Sequence, residues 1–113
     1  MNSILYKYRS HSDEYLIYDQ KKNKDQVDAI RARSLLSQNF GLGARGILAG
    51  PVIKEGRPSM LLFTPDGKEQ LPVGISEQFE KRFLEDAGYL TEGSVQAADI
   101  SFAGKVFVFA KAL

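Results

Sequence analysis

Three short stretches set polar side chains beside turn-forming residues, and each suits a particular chemistry. In Ser10-His11-Ser12-Asp13-Glu14 a histidine stands two residues before an aspartate. Extended backbone would put both on one side, which permits acid–base work; the same stretch also suits an exposed connection. In Gly41-Leu42-Gly43-Ala44-Arg45-Gly46 an arginine lies within a glycine turn. Arg45 either points into a cleft, where its fork fits a carboxylate, or lies on the surface. The third stretch runs from Thr64 to Ser76. Its end, Gly74-Ile75-Ser76-Glu77, opens a helix whose N–H groups can cradle a carboxylate or phosphate. Alternatively, Ser76 only caps its own helix.

There is no cysteine, and His11 is the sole histidine. Disulfides and thiolate metal sites are therefore excluded, and a histidine zinc site within one chain is not expected. The glycine turn is a poor nucleotide signal. It does not follow a strand, lacks the third glycine at the dinucleotide spacing, and has no Lys-Ser/Thr ending. Neither a metal nor a cofactor is expected.

The elements that must position these groups have to fit in 113 residues, enough for one domain, 1–113. A 43% hydrophobic and 26% charged composition is that of a globular chain. Net charge is +1 with the signs interspersed, so no basic stripe points to nucleic acid. The densest basic cluster, Lys21-Lys22-Asn23-Lys24, reads as a solvated loop. No apolar run is long enough to span a membrane, and the start lacks the apolar core of a signal peptide. A cytoplasmic location is expected.

Ile4 to Tyr8 and Tyr15 to Tyr18 are β-rich and predict a hairpin with a long exposed connection. Asp25 is placed to cap a helix bearing Val27, Ile30 and Leu35, with Ala29, Ala32 and Leu36 widening its face. That helix should stop before Gly41 and turn into a strand over Ile47-Leu48-Ala49. Pro51 to Pro58 reads as a loop, and Met60 to Phe63 as a buried strand. Thr64-Pro65-Asp66-Gly67 has the chemistry of a type I turn. Phe79, Phe83 and Ala87 make a core-facing helical stripe that Gly88 should end. Ile100 to Phe102 and Lys105 to Phe109 predict a closing hairpin around Gly104. The order is β-β-α-β-β-α-β-β, an α+β fold.

Taken in order, these stretches resemble the N-terminal half of diaminopimelate epimerase. That family opens with a strand and a His-Gly-Leu-Gly-Asn-Asp-Phe segment before a second strand ending in aspartate. The match here is Arg9-Ser10-His11-Ser12-Asp13-Glu14-Tyr15, followed by Leu16-Ile17-Tyr18-Asp19. The family's Gly-(Val/Ile)-Gly turn after a helix is matched by Gly41-Leu42-Gly43-Ala44-Arg45-Gly46. Its Asn-Ala-Asp-Gly-Ser is matched by Thr64-Pro65-Asp66-Gly67-Lys68, and its Cys-Gly-Asn-Gly at a helix start by Val73-Gly74-Ile75-Ser76. The closing Val-Ser-Thr-Ala-Asn-Gly-Arg hairpin is matched by Ile100-Ser101-Phe102-Ala103-Gly104-Lys105.

The resemblance implies a mixed, curled sheet around a central helix, the one beginning near Ser76. It also implies a cofactor-independent isomerase fold in which two cysteines, one from each of two similar domains, remove and return an α-proton. Here the first-domain cysteine position is Val73, and the substrate-binding asparagine positions are Asp13, Thr64 and Ile75. A diverged, non-catalytic domain that binds a ligand or partner is therefore expected, in effect a pseudoenzyme. The alternatives are one subunit of a split amino-acid epimerase, or an isomerase using Asp13, Asp66, Glu69 or Glu77 in place of thiols. Expected ligand-binding positions are Asp13, Arg45, Thr64, Gly74, Ile75 and Ser76, around a small anion. The expected partner is a second copy or a complementary epimerase-like chain, with neither nucleic acid nor membrane.

Overall fold

Strands β1 (Asn2–Ser10) and β2 (Asp13–Asp19) carry apolar side chains on both faces, so their sheet has to be covered on both sides. The computed structural model meets that demand with two helices. It describes residues 2–23, 26–37, 44–89 and 101–109, with backbone alone at 2, 3 and 101–109. The remaining elements are α1 (Ala29–Leu36), β3 (Ile47–Lys54), β4 (Arg57–Phe63), β5 (Glu69–Gln70), α2 (Ile75–Asp86) and β6 (Ser101–Phe109). The sheet runs β5-β4-β3-β2-β1-β6. Its pairs are antiparallel except β2 with β3, which are parallel and joined through α1. This is a mixed-sheet α+β fold.

Alternation along the strands sorts the core into two layers. Leu5, Leu16, Tyr18, Ile47, Ala49 and Phe63 meet Ala32, Leu35 and Leu36 of α1. On the opposite face, Tyr15, Ile17, Leu48, Met60 and Leu62 pack against Phe79, Phe83 and Leu84 of α2. α2 thus occupies the position expected of the central helix, while α1 covers the other face. Burying each large side chain contributes about 1.5–3 kcal/mol. Close packing also constrains glycine: a Cβ at Gly46 would lie 2.7 Å from the Phe63 carbonyl oxygen, so the β3–β4 approach excludes any larger residue there.

Several local expectations change. Asp28, not Asp25, caps α1, accepting the Arg31 N–H at 2.8 Å; Asp25 itself lies outside the described residues, as does the 41–43 part of the glycine turn. Ile30, expected on the buried face, is 67% exposed because the shorter helix turns Ala32, Leu35 and Leu36 inward. The β1–β2 connection is short: Ser10 pairs with Asp13, leaving only His11 and Ser12 between the strands. Pro51 to Pro58 is not a loop but two strand ends around Glu55-Gly56, both at positive φ, the backbone a tight hairpin requires. The expected closing hairpin is one strand, β6, laid along β1. The register passes from Lys7–Gly104 to Tyr8–Phe102, so Ala103 is an extra residue and Gly104 marks a bulge rather than a turn.

Other expectations hold. The Gly67 N–H donates to the Thr64 carbonyl at 2.9 Å, closing the Thr64–Gly67 turn. Gly88, at φ 82°, ends α2: its N–H reaches Glu85 O at 3.0 Å and the Tyr89 N–H reaches Leu84 O at 2.8 Å. That is a Schellman motif, and it turns Tyr89 back onto the α2 face of the core. Lys21 and Lys22 are exposed, as expected of a solvated loop. Asn23 anchors that loop by accepting the Ile4 N–H at 2.7 Å and donating to the Ile4 and Asp19 carbonyls.

Candidate functional site

The start of α2 is shaped by backbone geometry rather than by a serine cap. Gly74 is the N-cap, at φ 59° and ψ −125°, a conformation that suits glycine. Ser76 lies one residue inside the helix and is buried. Its hydroxyl donates to the Val73 carbonyl at 2.8 Å and accepts the Val73 N–H at 2.9 Å. Ser76 therefore clamps the preceding turn. That turn leaves Leu71 47%, Val73 63% and Ile75 39% exposed. These three large apolar side chains, exposed within five residues, make an apolar ridge at the approach to the helix.

The β1–β2 hairpin brings its own groups to this end of α2. Arg45 forms an ion pair through Nε with the Asp13 carboxylate, and its N–H donates to the Glu14 carbonyl at 2.8 Å. Tyr15, two residues after Asp13, packs its ring 4.7 Å from that of Phe79, which brings its phenol near Ser76. Burial raises the Tyr15 phenol's pKa, and the nearby Arg45 charge opposes the rise. Asp13, Arg45, Tyr15 and Ser76 thus form one connected cluster, with Gly74 and Ile75 at its border. Tyr15 is the member that sequence reasoning assigned to the core. Its position two residues from Asp13 on a strand was the signal available.

The other candidate residues are held elsewhere. The Thr64 hydroxyl donates to the Asp66 carboxylate, which holds Asp66 below the usual carboxylate range. Lys68 lies 3.8 Å from the same carboxylate. The Asp66 carbonyl accepts Arg33 Nη2 at 3.1 Å, docking the turn on α1 rather than on α2. Glu69 is exposed on β5. Glu77 pairs with Lys81 at 3.3 Å along α2, and Glu14 pairs with Arg9 at 3.2 Å. His11 is exposed at φ 54° in its turn. The carboxylates are dispersed, each of Asp13, Glu14, Asp66 and Glu77 beside a cation. The carboxylate that Arg45 meets is Asp13, while Glu69 lies on the outermost strand. Among the described residues no group of three or more His, Cys, Asp or Glu side chains could hold a metal ion, and no helix is long and apolar enough to cross a membrane.

An α+β domain with a mixed sheet, a glycine-started helix on one face and polar groups gathered at that helix start is compatible with the half-domain of a diaminopimelate epimerase. Comparison with known proteins agrees. No protein-family model matches the chain. It is 28% identical to diaminopimelate epimerase 2 of Nostoc sp. (strain PCC 7120) over 110 residues. That alignment covers 89% of this chain and 39% of the Nostoc protein, so the chain spans about two fifths of its relative's length. The chain is thus similar to a diaminopimelate epimerase over a stretch consistent with one half-domain, and it carries no cysteine.

Proposed function

We propose that this chain is a non-catalytic epimerase-like domain that works by binding, and that its occupant is a second copy of the chain. The observation that carries this reading is the exposure of Leu71, Val73 and Ile75 at the start of α2, the end of the helix at which Tyr15 gathers Asp13 and Arg45. Contiguous apolar residues rimmed by charge mark association surfaces. A two-fold axis through the ridge would bury it against itself and set each Arg45 near the other copy's acids. Valine at the position matching the family's cysteine has no proton to exchange. A homo-oligomer follows from this reading.

Light scattering at micromolar concentration tests it. A dimer that Val73→Asp converts to the 12.6 kDa monomer is the expected result; a wild-type monomer overturns it.

A second reading keeps isomerase chemistry, with thiols supplied by a complementary epimerase-like chain or with carboxylates in their place. The placement of Asp13 at the cluster beside the α2 start favours it. On either reading Asp13, Arg45, Gly74, Ile75 and Ser76 remain the proposed contact residues, whereas Thr64 is carried away from them by its turn's docking on α1. A small anion would have to compete with Asp13 for Arg45.

A further inference from the structure

The opposite end of α2, about 15 Å along the helix from Ser76, holds a cavity of about 390 Å³. This volume lies in the range of small-ligand sites. Its back wall is Phe83, whose ring centroid lies 5.9 Å from that of Tyr6, 6.2 Å from Tyr8 and 6.2 Å from Tyr89. Two carboxylates line it from different elements. Asp19, 1% exposed, accepts the Tyr89 hydroxyl at 3.0 Å. Asp86 accepts the Tyr8 hydroxyl at 2.8 Å and Arg82 Nε at 3.0 Å. The aromatic rings are thus oriented by hydrogen bonds at their polar tips, and their apolar bodies surround the space.

Two observations fix the sign of the ligand. Aromatic faces carry negative electrostatic potential; Asp19 adds to it, and Asp86 adds the part of its charge that Arg82 does not offset. Ammonium groups of the protein already lie over these rings: Lys22, which lines the cavity, has Nζ 5.9 Å from the Tyr6 centroid, and Lys21 Nζ lies 4.9 Å from the Tyr89 centroid. Both lysines are exposed loop residues, so moving one aside leaves the core intact.

We propose that this cavity binds a small organic cation, an ammonium group attached to an apolar body of a few carbons, which takes the place of the Lys22 ammonium. The ammonium would lie between the Tyr6 and Tyr89 rings with Asp19 and Asp86 as its counter-charges. Its apolar body would rest on Phe83. This site is separate from the Asp13–Arg45 surface, so it stands or falls independently of the binding reading above.

Titration with choline chloride, followed by NMR of the intact chain, tests the assignment. 3,3-Dimethyl-1-butanol, which has the same shape without the charge, is the control. Saturable shifts of the Tyr6 and Tyr89 ring signals are expected with choline, and binding at least about fivefold weaker with the alcohol. Lys22→Ala removes the competing ammonium without touching the core and should tighten choline binding by about threefold or more. The melting temperature of this variant, compared with wild type, checks that its fold is unchanged. No saturable shift with choline in either wild type or Lys22→Ala, or equal binding of choline and the alcohol, overturns the proposal.

Discussion

The Tyr89 hydroxyl donates to both oxygens of Asp19, at 3.0 and 3.2 Å, across 70 positions of sequence. The bond joins the residue that follows α2's glycine stop to the last residue of β2. Burial and the adjacent Asp19 carboxylate push the Tyr89 phenol up to about 12, so it remains a donor throughout the ordinary pH range. Asp19 is 1% exposed, and a buried carboxylate deprived of a donor is costly. Its second anchor is the Lys21 N–H at 3.0 Å.

Tyr89→Phe should therefore destabilise the chain by about 1–3 kcal/mol while keeping the ring contacts. Thermal unfolding would show a melting temperature several degrees lower. An unchanged melting temperature would mean that the Lys21 N–H and solvent suffice to satisfy Asp19.

The Asp13–Arg45 pair should behave differently. The Arg45 side chain is 59% exposed and that of Asp13 is 23% exposed, so solvent screens their attraction. A double-mutant cycle with Asp13→Ala and Arg45→Ala should give a coupling of about 0.2–1 kcal/mol. Arg45→Ala should weaken self-association in light scattering while leaving the melting temperature nearly unchanged. A large loss of stability with association intact would make the pair a fold-maintaining contact.

Glu80 supplies a pH test. Its carboxylate accepts the Met60 N–H at 2.8 Å and the Ser59 hydroxyl at 3.2 Å, fastening α2 to β4. Burial outweighs these bonds and raises its pKa above the ordinary 4.5. The folded state thus holds the proton more tightly than the unfolded chain. The resulting stabilisation is complete below the unfolded pKa and is lost as pH rises through the folded one. Glu80→Gln keeps an acceptor and removes the charge. Its melting temperature at pH 7 should equal or exceed that of wild type, with the difference closing below pH 4.5. A variant less stable than wild type at pH 7 would show that the charged hydrogen bonds dominate.

Val73 is the residue that the sequence resemblance matches to the family's cysteine, and there is no thiol in the chain. The isolated protein should not exchange the α-proton of diaminopimelate. Mass spectrometry of the amino acid after incubation in heavy water would check this. Deuterium above a no-protein blank would bring the carboxylate mechanism, with Asp13 as its foremost candidate, ahead of the binding role.

Where structure depends on neighbours a few residues away, the sequence alone was decisive. The Phe79–Phe83 stripe, the Gly88 stop, the Thr64–Gly67 turn and the buried Met60–Phe63 strand follow from side-chain periodicity and from the backbone freedom of glycine and proline. The order of glycine and turn motifs was also enough to suggest the epimerase-like fold. It could not show that Gly104 lies at a bulge rather than in a turn, because that depends on β6 pairing along β1. Nor could it choose Asp13 over Glu69 as the partner of Arg45. β2 and β3 are parallel neighbours, which sets Arg45 beside Asp13 and Glu14, whereas Glu69 is carried to the outer strand. Tyr15 and Tyr89 were legible only as core aromatics. Asp19 gives Tyr89 its polar partner, and packing brings Tyr15 near Ser76; both depend on the helix and strands having packed. Local chemistry chose the elements; the order of the strands decided which charges and hydroxyls meet.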